Sequence, residues 1–301
     1  MRWILGASLL TLAAAGCSND TGVEDTPAAP PPPAETSDTP SETADAAGFT
    51  IADAMAGSWR TEGEIARDQY RHPAETLEFF DVAGDETVIE IWPGGGWYTN
   101  LLAPYLHANG GQLIAAWVSP ERSERAASSL EAFKANYAEF PDTFGEIQYT
   151  TYDSESGPLG EPESVDTVLT FRNVHNWMGG DYADKFFSDA YAVLKPGGVL
   201  GVVEHRLPSS AEQDPSAPTG YVHEDYVKAL AEAAGFEFEA SSEINANPAD
   251  TADHPFGVWT LPPVSRTADR DGNTPEGFDP AVYAAIGESD RMTLKFVKPV
   301  E

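Results

Sequence analysis

The segment Val88-Ile-Glu-Ile-Trp-Pro-Gly-Gly-Gly-Trp-Tyr-Thr99 constrains the fold more than any other part of the chain. A short β-branched run closes on an acid, Glu90, and breaks into three consecutive glycines. Leu101, Leu102, Tyr105 and Leu106 then recur at helical spacing. Strand, glycine turn and helix in that order bring bare backbone to a helix N-terminus, a local geometry that accepts a nucleotide-like ligand.

The alternation continues downstream. Residues 112–118 read as a second strand, followed by Ser119-Pro120 and a helix rich in Glu, Arg and Ala. A third strand is expected over 146–152 and a fourth over 164–171, the latter leaving through Arg172-Asn-Val-His175. Residues 182–194 read as a helix burying Phe186, Phe187, Tyr191 and Leu194, with Lys195-Pro-Gly-Gly198 stopping it by glycine capping. Strand five is expected over 199–204, a helix over 224–234 closed by Gly235, and two last strands over 236–240 and 292–297. Upstream, residues 57–80 read as amphipathic helix, with Pro73 opening a further helix through Phe80. This pattern predicts one α/β domain over 49–301, built on a doubly wound, mostly parallel sheet. Within it, residues 241–290 are long for a strand connection and read as an inserted, ligand-covering flap.

The N-terminal residues carry a different signature. Arg2, the apolar run over 4–15 and the small residues Ala14-Ala15-Gly16 read as an export signal ending at residue 16, too short for a comfortable membrane span of about 20 residues. The chain's one cysteine, Cys17, follows directly. Ala14-Ala15-Gly16-Cys17 resembles a bacterial lipoprotein lipobox, with Ala14 where leucine is more usual. That resemblance implies a lipidated Cys17, and Ser18 in place of Asp implies an outer-membrane lipoprotein facing the periplasm. A plain cleaved secretory signal is the alternative. Residues 17–48 are acidic and proline-rich, with little to bury and no Lys or Arg, and read as a disordered tether. The formal net charge is −32, of which seven acids and Arg2 in the first 48 residues supply only −6. The acidic domain surface argues against nucleic acid as a partner and against membrane contact except through a lipid anchor.

Several segments together resemble a class I S-adenosylmethionine-dependent methyltransferase. They are the glycine turn after strand one, the Val165-Asp166 strand with its polar exit, Leu194-Lys-Pro-Gly-Gly-Val-Leu200, and Glu232-Ala-Ala-Gly-Phe236. The resemblance covers roughly residues 75–245, with the last strand as the family's reversed seventh. More narrowly, four stretches look like exported bacterial proteins known as predicted methyltransferases. These are Arg67-Asp-Gln-Tyr-Arg-His-Pro-Ala-Glu-Thr-Leu77, Glu90-Ile-Trp-Pro-Gly-Gly-Gly-Trp-Tyr98, Arg172-Asn-Val-His175 and Ile286-Gly-Glu-Ser-Asp-Arg-Met292. The resemblance implies S-adenosylmethionine as cofactor, with Glu90 near its methionine moiety and Gly94, Gly95 and Gly96 in the ligand loop. It implies Asp153 near the adenine, and Asn173 in the strand-four exit beside the cofactor. The pattern departs at two positions. Trp92 stands at the first motif glycine, and Trp117 replaces the acid that accepts the ribose hydroxyls, so either indole would stack on adenine or plug the pocket.

The ends of the parallel strands also collect candidate chemistry. His175 and His205 are candidates for a general base, and each reads equally as a polar loop residue bonded to backbone. Arg172 and Arg206 suit a carboxylate or phosphate on a small-molecule substrate, or else pair with Glu204 or Glu224. Arg67, Tyr70, Arg71 and His72 suggest an anionic ligand, or a helix paired with the domain's own acids. Glu288, Asp290 and Arg291 read first as turn and strand-edge residues. Convergence of His175, Glu204, His205 and His223 would suit a metal, but no His-Glu-x-x-His or close His/Cys spacing supports one, and no metal is expected. No Gly-x-Ser-x-Gly elbow points to hydrolysis. A ligand-binding protein that keeps this fold with an altered or lost cofactor site remains the rival reading.

Overall fold

The computed structural model describes residues 48–300. The expected signal, Cys17 and the tether up to residue 47 lie outside the described residues. Helices α1 (Ile51–Met55), α2 (Glu62–Ile65), α3 (Asp68–Arg71) and α4 (Pro73–Phe79) come first; α4 is the helix expected to open at Pro73, while the amphipathic helix expected before it is broken into short pieces. Thr50 and Thr61 each form a capping box, with Asp53 and Glu64, that starts a new short helix. His72 takes a left-handed φ of 39° and breaks the chain between α3 and α4.

Strand β1 (Thr87–Ile91) lies inside a seven-stranded sheet, third from one edge. Its side chains alternate between two cores: Ile89 and Ile91 face one, Val88 the other. After α5 (Thr99–Asn109), the chain runs outward through β2 (Gln112–Trp117), α6 (Glu124–Ala138), α7 (Pro141–Phe144) and β3 (Gln148–Thr151). It then returns to the opposite side of β1 with β4 (Val165–Phe171), α8 (Val174–Gly179), α9 (Ala183–Val193) and β5 (Leu194–His205). After α10 (Glu224–Ala234) come β6 (Glu237–Ser242), a short β7 (Pro255–Val258) outside the main sheet, α11 (Pro280–Ile286) and β8 (Arg291–Val297).

The strand order is β3-β2-β1-β4-β5-β8-β6, with β8 antiparallel to both its neighbours. This is the mostly parallel, doubly wound sheet with a reversed last strand expected from the sequence. Because the chain reverses direction of travel at β1 and β4, their carboxyl ends part and leave a crevice.

One local expectation needs correction. Lys195-Pro-Gly-Gly198 is not a glycine cap: α9 ends with Leu194 already extended (ψ 139°), and the motif opens β5. The ladder to β4 slips there, pairing Val165 with Leu194 and then Thr167 with Val199, so the glycines absorb an irregularity in register. The 241–290 segment contains β7 and α11, and its residues Val258, Trp259 and Leu261 wall the crevice.

Candidate functional site

The alternation of β1 sends Glu90 toward α5, where its carboxyl is 2% exposed and accepts a 2.6 Å hydrogen bond from Thr99 Oγ1. Burial pushes this acid up to about 7, against the pull of that single bond. The next turn is built without the first motif glycine. Trp92 adopts the left-handed conformation that position requires, with φ 48°. Its half-buried indole crosses to β3, donating from Nε1 to the Tyr152 carbonyl at 2.8 Å, and meets Trp177 edge-on at 5.8 Å. Trp92 thus packs against the α8–α9 side of the sheet.

The three glycines divide in role. A Cβ at Gly94 or Gly95 would meet nothing within 4 Å, whereas one at Gly96 would lie 2.1 Å from the Tyr137 hydroxyl. Gly96 is therefore required by packing of α6 against the loop, and Gly94 and Gly95 face open space. That space is two hollows sharing Trp92, Gly94, Asn173 and Asn176 as a common wall. One, of about 790 Å³, runs toward Trp117, Arg122 and Tyr182. The other, of about 440 Å³, runs toward His175, His205 and Trp259.

In the first hollow, Trp117 is turned onto Phe133 of α6, with ring centroids 4.6 Å apart, and is largely buried. Asp153, expected near the adenine, is not in the lining of this hollow: it faces a separate recess beside Ser119 and Glu121, and its oxygens accept from the backbone N–H groups of Ser119, Glu155 and Ser156. Asn173 Nδ2 donates to the Ile91 carbonyl at 3.0 Å and to Thr170 Oγ1, tying the exits of β1 and β4 together.

In the second hollow, Glu204 is fully buried and accepts three N–H groups: His175 Nδ1 at 3.0 Å, His205 N at 2.8 Å and His175 N at 3.3 Å. A carboxylate so placed acts as acceptor, so Nδ1 carries the hydrogen and Nε2 of His175 is the free ring nitrogen. His205 Nδ1 lies 2.6 Å from Ser289 Oγ; burial first, then His175 and the nearby arginines, hold its pKa well below the ordinary value. The ligand atoms of His175, Glu204 and His205 lie within 4.8 Å of one another, but His223 is elsewhere, bonded to the Pro208 carbonyl. Arg71, Arg172 and Arg291 all bear on His205, an electrostatic setting that opposes a dication.

Arg172, left-handed at φ 63°, and Arg67 and Arg71 line the same hollow. Arg206 does not: it pairs with Asp290 at 2.8 Å and Glu243 at 2.7 Å and stands 4.0 Å from Glu224. Tyr70 and His72 also stay out of the lining. Sequence reasoning passed over Trp97, Phe171, Trp259 and Ser289. Trp97 stood in a quoted motif, but Trp259 lay in a long connection with no periodic signal.

Residues 89–202 match a family model described as a methyltransferase domain. No curated protein matches the chain. Among solved structures, it is similar to the 4+2 cyclase SpnF, at 19% identity and a TM-score of 0.50, covering 84% of this chain and 87% of that one. A SAM-dependent methyltransferase from Aquifex aeolicus is 18% identical over 60% of this chain and 87% of that chain, with a TM-score of 0.46. A SAM-dependent methyltransferase from Methanosarcina mazei is 13% identical over 75% and 97%, with a TM-score of 0.43. Taken with the strand order and the reversed β8, the chain has the Rossmann-like class I methyltransferase fold, and the matched domain spans the strands that build the crevice.

Proposed function

We propose that the protein transfers a methyl group from S-adenosylmethionine to a small acceptor. The observation that carries this reading is the open glycine turn: Gly94 borders both hollows and Gly95 the second, joining an adenosyl-sized hollow to one lined by His175, which Glu204 holds from behind. The residues present fit the cofactor. Glu90 suits the methionyl end, Gly94 and Gly95 allow close backbone approach, and Trp92, Trp117 and Asn173 border the adenosyl side. When bound, S-adenosylmethionine supplies an electrophilic methyl group. The chain's own contribution is positioning and proton removal. His175, oriented by Glu204, offers Nε2 to the acceptor's proton; neutral His205 and Arg172 border the same space.

Among the described residues no carboxylate lines the adenosyl-side hollow to accept the ribose diol, since Trp117 occupies that position and Asp153 faces a separate recess. Each hydrogen bond forgone costs about 1 kcal/mol. That observation favours one second reading, a non-catalytic protein that binds a ligand in the same crevice. Methyl-labelled cofactor supplied with an envelope extract separates the two. Label should reach a small-molecule fraction with the native protein and not with His175→Gln. Binding of S-adenosylhomocysteine with no transfer in any fraction would support the second reading.

The proposal includes a periplasmic setting, as an outer-membrane lipoprotein anchored through Cys17. Its support is the Ala14-Ala15-Gly16-Cys17 sequence alone. Mass spectrometry of the mature N-terminus tests it, and an unmodified Cys17 or cleavage elsewhere would refute it.

A further inference from the structure

The two motifs at either end of the domain, around Arg67–Arg71 and Glu288–Arg291, meet over the second hollow, and their charges do not balance. Glu288 Oε1 accepts from Arg67 Nε at 2.6 Å. Its Oε2 accepts from Arg71 Nε at 3.1 Å and Arg291 Nη1 at 3.2 Å, with Arg172 Nη1 3.7 Å away. Four guanidinium groups thus share one carboxylate, and Arg71 is only 1% exposed. The other acids nearby are engaged: Glu64 with Asn100, Glu90 with Thr99, Glu204 with His175. Arg71 Nη1 and Arg67 Nη2 are buried without a hydrogen-bond partner. A network that served only to fasten α3 to β8 would pair its donors, because a buried charged donor left unpaired is costly. Burial, then repulsion from its arginine neighbours, pushes Arg71 down to about 8 and Arg172 to about 10.

We propose that Arg67, Arg71 and Arg172 bind an oxyanion, carboxylate or phosphate, carried by a small and partly apolar acceptor. The anion is the cluster's second counter-ion and takes the unpaired donors. The surroundings supply the apolar part of the fit. The Arg71 guanidinium lies 4.6 Å from the Trp97 ring centroid, Tyr98 stacks on Phe171, and Trp259 stands edge-on to His175 at 6.0 Å. An acceptor held by its anionic end would present its nucleophile to His175 on the same wall. The word acceptor rests on the methyl-transfer reading; the anion site does not.

The test is titration of the purified protein with inorganic phosphate and, separately, with benzoate, at low ionic strength, with sodium chloride as control. Heat and thermal midpoint are followed. A saturable response to at least one of them, absent with chloride and weakened about tenfold or more in Arg71→Gln and Arg67→Gln, is expected. Preference for phosphate or benzoate assigns the oxyanion. No saturable response, or equal responses in native and variant proteins, would overturn the proposal. Should Arg71→Gln fail to fold, Arg67→Gln decides, since that side chain is 26% exposed. Anion binding without any S-adenosylhomocysteine binding would support the site while overturning methyl transfer.

Discussion

Replacing Glu90 with glutamine should make the protein more stable, and only above a defined pH. The carboxyl is enclosed, its one hydrogen-bonding side-chain partner among the described residues is Thr99 Oγ1, and burial raises it from 4.5 to about 7. Between those values the unfolded chain has released the proton while the folded chain still holds it. Stability therefore falls as pH rises through that window, and the loss is complete above about pH 7. The gap corresponds to about 3 kcal/mol. Glutamine keeps an oxygen for Thr99 and cannot ionise. In urea unfolding, Glu90→Gln should gain about 2–3 kcal/mol on the native protein between pH 5 and pH 8. Stability curves that stay parallel across that range would refute the account of Glu90 as an unpaired buried anion. The same charge should serve binding: affinity for S-adenosylhomocysteine should rise with pH through about 7, as the carboxylate becomes available to the methionyl ammonium.

Three further outcomes are expected. At Trp92, glycine should be better tolerated than alanine by about 1 kcal/mol in chemical unfolding, because φ 48° is left-handed; alanine at least as stable as glycine would contradict that. Glu288→Gln leaves four guanidinium groups without their carboxylate and should cost about 3–5 kcal/mol, measured by urea unfolding at pH 7. Neighbouring arginines hold Glu288 at about 2 despite burial, so its contribution should be present above pH 4.5 and disappear as pH falls from 4.5 toward 2, a dependence missing from the glutamine variant. His175→Gln should lower methyl-transfer turnover by about 10²–10⁴-fold with cofactor affinity unchanged; a parallel loss of affinity would assign His175 to binding.

The sheet was legible because its signal is local. Val88, Ile89 and Ile91 announce a strand enclosed on both faces, and the glycines behind them announce the turn. Segments whose conformation depends on single side-chain caps were not. Pro73 announces the helix it opens, but residues 57–72 look continuous by periodicity, and Thr61 with Glu64 starts a new short helix inside them. Lys195-Pro-Gly-Gly198 reads as a stop, yet β-ladder pairing at Leu194 wins over capping. The crevice was legible in its strand-end residues, His175, His205 and Arg172, since parallel strands put their exits together. Arg67, Arg71 and Arg172 were legible as candidates for an anion, but their sharing of one carboxylate was not, because Arg67 and Arg71 stand more than two hundred residues from Glu288 and only the folded chain brings their charges together. Nor does sequence give the direction of an indole: Trp92 takes a left-handed φ and turns to donate to the Tyr152 carbonyl.

The central claim is that the hollow beside Gly94 admits an adenosyl compound despite the two indoles that border it. Calorimetric titration of the purified protein with S-adenosylhomocysteine near pH 8 tests it most directly. Saturable heat with one equivalent bound, diminished in Glu90→Gln, is the expected result. Absence of both heat and thermal shift at about millimolar ligand would contradict it.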